Sequence, residues 1–185
     1  MQIAILSDIH DNVWSLAAVL EAVQTADVLM CCGDLCSPFV MTQLGEGFAD
    51  RPVHVVFGNN DADLFRITRN AARFPQVQIH GAFFADAFDG RTVAVNHYDD
   101  IALAIARGQT YDVVCYGHNH DFKIEPVGKT LTINPGAVMG YNPIKRADVP
   151  CTFVIYDTQT HAAQGYRIGA ATGPLGEDRR VLAHG

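Results

Sequence analysis

The sequence predicts an α/β domain in which two packed sheets carry helices on their outer faces. In the first half of the chain, apolar β-branched runs alternate with stretches of helical periodicity. In the second half, strand-like runs dominate, and Asp89-Gly90 between two of them is a strong hairpin signal. Hydrophobic residues make up 49% of the 185 residues, which is enough to bury one full core.

The first half predicts three strands that are each followed by a helix. The strands are expected at 2–7, 27–32 and 53–57. The helices are expected at 12–24, after 37 and at 61–73. Either Asp11 or Asn12 is expected to cap the first helix, and Ser37 before a proline is a typical helix start. Gly45 and Gly47 interrupt the second helical stretch, so we expect a short or broken helix there.

The second half predicts a further set of strands around one helix. These strands are expected at 77–80, 82–88, 91–96, 112–116, 122–126, 130–133, 151–157 and 162–168. Residues 100–107 are expected to form an amphipathic helix, and 134–150 a long loop with three prolines. We therefore predict one domain over 1–168, followed by a loosely held tail over 169–185 that is rich in Gly and Ala.

The composition excludes several classes of protein. The net charge of −7 would repel phosphates over most of the surface, so nucleic-acid binding is not expected. No apolar run reaches the roughly 18–20 residues of a membrane span, and the N-terminal MQIAILSDIH lacks the basic start of a signal peptide. The five cysteines are odd in number and lie mostly in apolar runs, which predicts reduced thiols in a cytoplasmic protein.

Five of the predicted strands are followed directly by side chains that can bind metal ions. In α/β sheets ligands gather at the carboxyl ends of strands, so strands that share a sheet and a direction would bring these side chains into one pocket. Side chains two residues apart in an extended chain point the same way. Asp8 and His10 could therefore bind one ion together, and so could His118 and His120. The seven candidates are Asp8, His10, Asp34, Asn59, His97, His118 and His120.

Each of these motifs has a simpler interpretation when it is taken alone. An isolated Asp-x-His, Gly-Asp or Gly-Asn is usually a turn, and an exposed His-x-His is more common than a ligand pair. Their occurrence in order, each after a strand, favours a metal site over five unrelated turns. The other four histidines lie outside this pattern. The stripe of Arg66, Arg69 and Arg73 is interpreted as a solvated helix face.

Six short motifs occur in the order SDIHDN, GDL, GNND, NH, GHNH and NPGA. In this order they resemble the calcineurin-like metallophosphoesterase superfamily, and most closely its small bacterial and archaeal phosphodiesterase branch. The resemblance extends from Met1 to about Ile168, and the combination is specific although each motif is weak by itself. It implies a four-layer αββα sandwich of two mixed sheets flanked by helices.

The resemblance also implies two divalent metal ions. The first would be held by Asp8, His10, Asp34 and His120. The second would be held by Asn59, His97, His118 and the same Asp34, which bridges both. The ligands are oxygens and imidazole nitrogens without thiolate, which suits Mn²⁺, Fe²⁺, Co²⁺, Ni²⁺ or Zn²⁺. We expect Mn²⁺, because the donor set mixes nitrogen and oxygen.

Such a site predicts hydrolysis of a phosphodiester by a metal-activated hydroxide. Two divalent ions, two carboxylates and one hydroxide leave roughly one positive charge, which matches a singly charged diester. The expected catalytic residues are Asp34, His97 and Asn60. Asp61 is either an orienting residue behind the ligands or the N-cap of the helix predicted at 61–73.

Three positions depart from the residues that are usual in the family. Asp11 and Tyr98 stand where glycine is common, so we expect both to border the substrate. Asn60 stands where many relatives have a histidine thought to help the leaving group, and an amide cannot donate a proton as an acid. The expected substrate-binding residues are completed by Asn12, Asn119 and Arg146.

The same fold leaves other functions open. A phosphomonoesterase or a dinucleoside-polyphosphate hydrolase would use the same site. A retromer subunit with this fold acts as a non-catalytic interaction scaffold, although the complete ligand set here favours an enzyme. The expected partner is a small phosphoester, and a homodimer is compatible with the resemblance because relatives often form dimers.

Overall fold

The computed structural model describes residues 1–168 and 181–184. In chain order the helices are Val13–Ala22 (α1), Pro38–Gly47 (α2), Leu64–Ala71 (α3) and Asp99–Arg107 (α4). The strands are Gln2–Leu6 (β1), Val28–Cys31 (β2), Val53–Val55 (β3), Val77–Ile79 (β4), Phe83–Phe88 (β5), Arg91–Asn96 (β6), Val113–Cys115 (β7), Lys123–Val127 (β8), Thr130–Asn134 (β9), Tyr141–Asn142 (β10), Ala147–Asp148 (β11), Cys151–Asp157 (β12), Ala162–Ile168 (β13) and Val181–His184 (β14).

The strands form two mixed sheets and one short hairpin. The larger sheet has seven strands in the order β14-β13-β12-β1-β2-β3-β4, and the smaller has five in the order β5-β6-β7-β9-β8. Strands β1 to β4 are parallel to one another, while β12 pairs antiparallel with β1. In the smaller sheet β6, β7 and β9 are parallel, and β5 and β8 are antiparallel edge strands.

Alternating side chains of β1 show how the sheets stack. Ile3 and Ile5 join the apolar core shared with the smaller sheet, whereas Ala4 and Leu6 pack with helix residues such as Leu16. Strand side chains alternate between faces, so one central strand serves both cores.

The outer face of the smaller sheet is covered by α4. Ala102 and Ala106 of this helix pack with Val114 of β7 in a third, smaller core. The four layers are therefore helices α1 to α3, the larger sheet, the smaller sheet and α4. This arrangement confirms the predicted αββα sandwich.

The prediction that the candidate ligands converge assumed that the five strands before them share one sheet. In the structure these strands belong to two different sheets. Strands β1, β2 and β3 lie in the larger sheet, and β6 and β7 in the smaller. The two sheets meet at this edge, where the backbone N–H of His118 donates to the carboxylate of Asp8 at 3.1 Å. The candidate site is thus assembled across two stacked sheets.

The sequence predicts a short or broken helix here; α2 is continuous over its 10 residues, so the broken alternative is wrong. Gly45 is buried on α2, and a Cβ at this position would overlap the ring of Phe74. A Cβ at Gly47 would lie 2.5 Å from Leu20 Cδ1. Both glycines therefore permit close packing of the helix, which outweighs their low helix propensity.

Helix α3 begins at Leu64 and is capped by Asp63, whose side chain accepts the backbone N–H of Arg66 at 3.0 Å. The alternative that Asp61 caps this helix is wrong. Asn12 caps α1 by accepting the backbone N–H of Ser15 at 3.1 Å, which decides between the two predicted caps. The other elements common to prediction and structure agree within one or two residues.

The region 134–150 is less irregular than predicted, because β10 and β11 form a short antiparallel hairpin within it. Residues 169–180 and 185 lie outside the described part of the chain, so the loosely held tail stays a prediction there. Strand β14, which the sequence did not predict, pairs antiparallel with β13. Each helix among the described residues is too short or too polar to cross a bilayer.

We predict that Gly45→Ala destabilises the protein by about 1–2 kcal/mol in urea unfolding, because overpacking against Phe74 exceeds the gain in helix propensity. The exposed neighbour Glu46 supplies the matched control, since Glu46→Ala is expected to change the free energy of unfolding by less than about 0.5 kcal/mol. A Gly45→Ala protein more stable than the parent would show that propensity prevails at this position.

Candidate metal centre

Five of the seven candidate ligands have left-handed backbone conformations. The φ angles are 53° at Asp8, 43° at His10, 57° at Asp34, 72° at His118 and 60° at His120. Such angles are unfavourable for residues with a Cβ, and they persist only where the surrounding structure imposes them. The chain thus adopts left-handed conformations after β1, β2 and β7, at residues whose side chains converge.

Two glycines make room for the buried carboxylates. A Cβ at Gly58 would overlap Asp34 Oδ1, and a Cβ at Gly117 would lie 2.5 Å from Asp8 Oδ2. Asp8 and Asp34 are 0% and 1% exposed. The glycines that precede the candidate ligands Asn59 and His118 thus let the backbone pass directly against the carboxylates of the neighbouring loops.

Three histidine rings direct their Nε2 atoms toward these carboxylates. His120 Nε2 lies 3.4 Å from Asp8 Oδ1. Asp34 Oδ2 lies 3.4 Å from both His10 Nε2 and His97 Nε2. Asp34 therefore lies between one histidine from each of the two expected ligand sets, and its bridging role stays a prediction.

The opposite ring nitrogens of two histidines are held by backbone carbonyls. His97 Nδ1 lies 2.8 Å from the carbonyl oxygen of Cys32, and His120 Nδ1 lies 2.6 Å from that of Tyr141. A carbonyl only accepts, so each Nδ1 carries a hydrogen and each ring is held with its Nε2 toward the carboxylates. In its neutral form each of these rings can offer only Nε2 as a ligand atom, and that atom lies beside a carboxylate oxygen.

The charges of the site shift the pKa values of its members. Burial by itself would raise the pKa of Asp8, but contacts with His10 and His120 outweigh it and hold the pKa far below its usual value. Burial opposes the charged form of His97, yet the contact with Asp34 raises its pKa. The cluster therefore holds ionised carboxylates in a buried place, which is the donor type that divalent cations require.

The remaining two candidates, Asn59 and His118, lie toward solvent on the His97 side. Asn59 Oδ1 is 3.2 Å from His97 Nε2 and 2.8 Å from His118 Nδ1. The groups whose ligand atoms lie within 4.8 Å of one another are Asp8 with His10 and His120, and Asp8 with Asp34 and His97. The structure thus brings all seven candidates to one edge of the sandwich, with Asp8 in both of the tight groups.

Asp61 and Asn60 hold the loop that carries Asp34. The carboxylate of Asp61 accepts the backbone N–H groups of Gly58 at 2.7 Å, Cys36 at 2.9 Å and Asp34 at 3.2 Å. Asn60 donates its backbone N–H and its side-chain amide to the two oxygens of Asp34, each at 2.8 Å. Asp61 thereby joins the loops after β2 and β3. Of its two predicted roles, these contacts fit an orienting residue and not the N-cap of the helix.

The structure gives three of the predicted substrate-binding residues partners within the protein. Asn12 donates to the carbonyl of Met139 at 3.1 Å, and Asn119 donates to Asp99 at 3.0 Å. The carboxylate of Asp11 accepts the backbone N–H and the hydroxyl of Ser37 at 2.9 and 2.8 Å. These bonds hold loops around the site in place.

The other two predicted substrate-binding residues differ in their positions. The ring of Tyr98 lies 5.3 Å from that of His97 and 5.1 Å from that of His118, between centroids. Arg146 is exposed in the turn between β10 and β11, and this hairpin contributes the Tyr141 carbonyl that holds His120. Tyr98 therefore borders the ligands directly, whereas Arg146 is connected to them only through its hairpin.

The sequence analysis missed Cys36. Its Sγ lies 3.4 Å from His10 Nδ1, so it occupies the place that carbonyls take beside His97 and His120. A signal was present, because Cys36 follows Asp34 by two residues, the same spacing that drew attention to the pair at 8/10. Burial raises the pKa of this thiol to about 12, which keeps it protonated at neutral pH.

Comparisons with known proteins agree with this geometry. The model of the calcineurin-like phosphoesterase superfamily domain matches residues 1–161. A phosphodiesterase of Methanocaldococcus jannaschii is 30% identical over 146 residues, which cover 76% of this chain and 86% of that protein.

Solved structures share the fold at lower identity. An archaeal phosphodiesterase superposes with a TM-score of 0.78 at 24% identity, covering 100% of both chains. Wild-type Vps29 of Entamoeba histolytica, complexed with Zn²⁺, superposes with a TM-score of 0.66 at 20% identity, covering 100% of this chain and 97% of that one.

We predict that Asp34→Asn lowers the metal content of the protein, because it removes a carboxylate oxygen that lies 3.4 Å from both His10 and His97. Mn²⁺ binding measured by calorimetry should weaken by more than the roughly 10- to 100-fold typical of groups that only support a ligand. Asp86→Asn, at an exposed carboxylate on β5, should bind Mn²⁺ like the parent. Retention of two tightly bound ions by Asp34→Asn would exclude the bridging role.

Proposed function

The chain belongs to the calcineurin-like phosphoesterase superfamily, and on that premise we propose that it is a phosphodiesterase that uses two divalent metal ions. The phosphodiesterase of Methanocaldococcus jannaschii supports the choice of a diester over a monoester. The complete set of ligand-type side chains supports an enzyme over a non-catalytic scaffold of the same fold.

The observation that carries this proposal is the direction of the histidine rings. The Nδ1 atoms of His97 and His120 are held by carbonyls, so Nε2 is the atom that either ring can offer to a metal ion. These atoms stand 3.4 Å from carboxylate oxygens, beyond the usual length of an N–H···O bond. Two ligands about 2.1 Å from one ion lie about 3.0–3.4 Å apart, so the spacing suits a shared cation.

The seven candidate ligands would hold two divalent ions, which would supply a hydroxide near neutral pH and offset the charge of the phosphoryl oxygens. The residues of the chain then have separate tasks. Asp8 and Asp34 provide buried negative charge, and the loop contacts of Asp61 keep Asp34 in position. The polar groups beside the ligands, including Tyr98, are placed to orient a substrate on the His97 side.

Asn60 cannot supply a proton to the leaving group. Its amide donates to Asp34 and faces the solvent-exposed side of the cluster, since Asn60 itself is exposed. An amide donates a hydrogen bond but transfers no proton, so a departing alkoxide receives no acid from this position. Good leaving groups should therefore be strongly favoured.

We predict that protein stripped with a chelator stays folded but hydrolyses no bis(4-nitrophenyl) phosphate, and that Mn²⁺ restores turnover. The ligands lie on loops at strand ends, whereas the cores are apolar and independent of them. Circular dichroism checks the fold, and release of 4-nitrophenolate checks the activity. Undiminished hydrolysis after verified stripping would exclude metal-dependent chemistry.

A panel of metals and substrates separates the alternatives that use the same site. Faster turnover of 4-nitrophenyl phosphate or of dinucleoside polyphosphates than of diesters would replace the proposed substrate class. Failure of every metal to support hydrolysis, with the ions bound, would instead favour the non-catalytic scaffold.

We predict that kcat/KM for a series of aryl phosphodiesters falls steeply as the pKa of the leaving group rises, because residue 60 supplies no proton. Asn60→His should flatten this dependence and help the poorest leaving groups most, by up to the roughly 10²-fold of a positioned acid. Asn60→Ala is the matched control, since it also lacks an acid and should keep the steep slope. Equal slopes for Asn60→His and the parent at matched metal content would show that residue 60 does not face the leaving group.

A further inference from the structure

A groove of about 520 Å³ lies between α2 and α3. It begins at Ser37, which is hydrogen bonded to the carboxylate of Asp11 at 2.9 and 2.8 Å. Asp11 directly follows His10, and Cys36, next to Ser37 in the chain, contacts the ring of His10 at 3.4 Å. The lining residue Ser37 is thus connected to the surroundings of the candidate ligand His10 through Asp11 and Cys36, and the volume of the groove is that of a small-molecule site.

The two helices contribute an aromatic face and a guanidinium to this groove. Phe39 on α2 is 54% exposed, and Arg66 on α3 is exposed as well. Arg66 is exposed, as the prediction of a solvated helix face requires, and it also lines the groove. Aromatic faces and guanidinium planes both stack on planar rings, including nucleobases.

The charge of the groove favours a neutral group over a second phosphate. Arg66 lies 3.8 Å from the carboxylate of Asp63, and Glu46 also lines the groove. These two carboxylates offset the single guanidinium, so no net positive charge is left for another anion. A neutral planar group with its own hydrogen-bonding edge suits the lining better.

Polar side chains in the groove are held in fixed positions. Asn70 on α3 donates to the carbonyl of Pro38 at 2.8 Å, which ties the two helices together. Gln43 donates to the carbonyl of Val13 at 2.7 Å. Both bonds use the amide N–H groups, so the amide oxygens remain as acceptors for N–H groups of a ligand. Walls that are fixed before binding lose little conformational entropy when a ligand enters.

We propose that this groove binds the nucleoside of a nucleoside phosphodiester, with the base stacked on Phe39 and the phosphodiester directed to the metal ligands. The inference rests on the proposed function, because it names the ester group that the same site would accept. It also assigns Asp11 a positioning role, since its carboxylate holds the N-terminal end of α2 beside the site.

The test compares two diesters that share the 4-nitrophenolate leaving group: thymidine 5′-(4-nitrophenyl phosphate) and methyl 4-nitrophenyl phosphate. The measured quantity is the ratio of their kcat/KM values. The parent protein should prefer the thymidine ester by about tenfold or more, and Phe39→Ala should lower the ratio about tenfold. Arg66→Ala should lower it in the same direction.

Two matched variants control for nonspecific effects. Trp14 is an exposed aromatic residue at the second position of α1, where Phe39 stands on α2. Arg69 lies on the same helix as Arg66 but does not line the groove. Trp14→Ala and Arg69→Ala should keep the ratio within about twofold of the parent value. A ratio near one in the parent would overturn the proposal, and so would a Phe39→Ala ratio equal to that of the parent. Either result is expected if the groove binds a protein segment instead.

A binding measurement keeps the two proposals distinguishable. Calorimetry with thymidine 5′-monophosphate and Mn²⁺-loaded protein should show weaker binding, by about tenfold, for Phe39→Ala than for Trp14→Ala. If neither diester is hydrolysed but binding depends on Phe39, the proposed function fails and the groove assignment stands. If the methyl diester is hydrolysed but neither the ratio nor the binding depends on Phe39, the groove assignment fails by itself.

Discussion

The carboxylates of Asp8 and Asp34 are buried at the meeting edge of two sheets, where unpaired negative charge is strongly unfavourable. The surrounding structure is arranged to satisfy them. Histidine Nε2 atoms face both carboxylates, and backbone N–H groups of His118 and Asn60 donate to them. The left-handed turns after β1, β2 and β7 and the close approach of Gly58 and Gly117 follow from this requirement, because they let the loops come near enough to the carboxylates.

Contacts across the stacked sheets give the site its rigidity. The His118 N–H to Asp8 bond links the smaller sheet to the larger, and the three bonds of Asp61 link the loops after β2 and β3. The carbonyl of Tyr141 adds the β10–β11 hairpin to the same network through His120. Each loop is therefore held in place by hydrogen bonds to neighbouring loops. These bonds between loops fix the directions of the histidine rings.

Function at this site divides between the shared cluster and the residues around it. The match to the phosphoesterase superfamily covers residues 1–161, which include every candidate ligand of the cluster. This chain can differ from its relatives in the leaving group and the ester group that it accepts. The features that would set these preferences are Asn60, Tyr98, Asp11 and the α2–α3 groove. Asp11 illustrates the division, because it follows a ligand but its carboxylate is used to hold Ser37 and the start of α2.

The sequence by itself determined the layer order, nearly all strands and helices, and the seven side chains that meet, because apolar periodicity and strand-end motifs are local patterns. It did not determine that these strands belong to two sheets, that α2 runs through Gly45, or that Asp63 rather than Asp61 caps α3. Only tertiary structure decided these points. A glycine is tolerated in a helix when a distant ring such as Phe74 needs its space, and an aspartate serves whichever N–H groups the fold brings to it. Contacts between residues far apart in sequence leave no local pattern, so the partners of Cys36 and Ser37 emerged only once the loops were packed together.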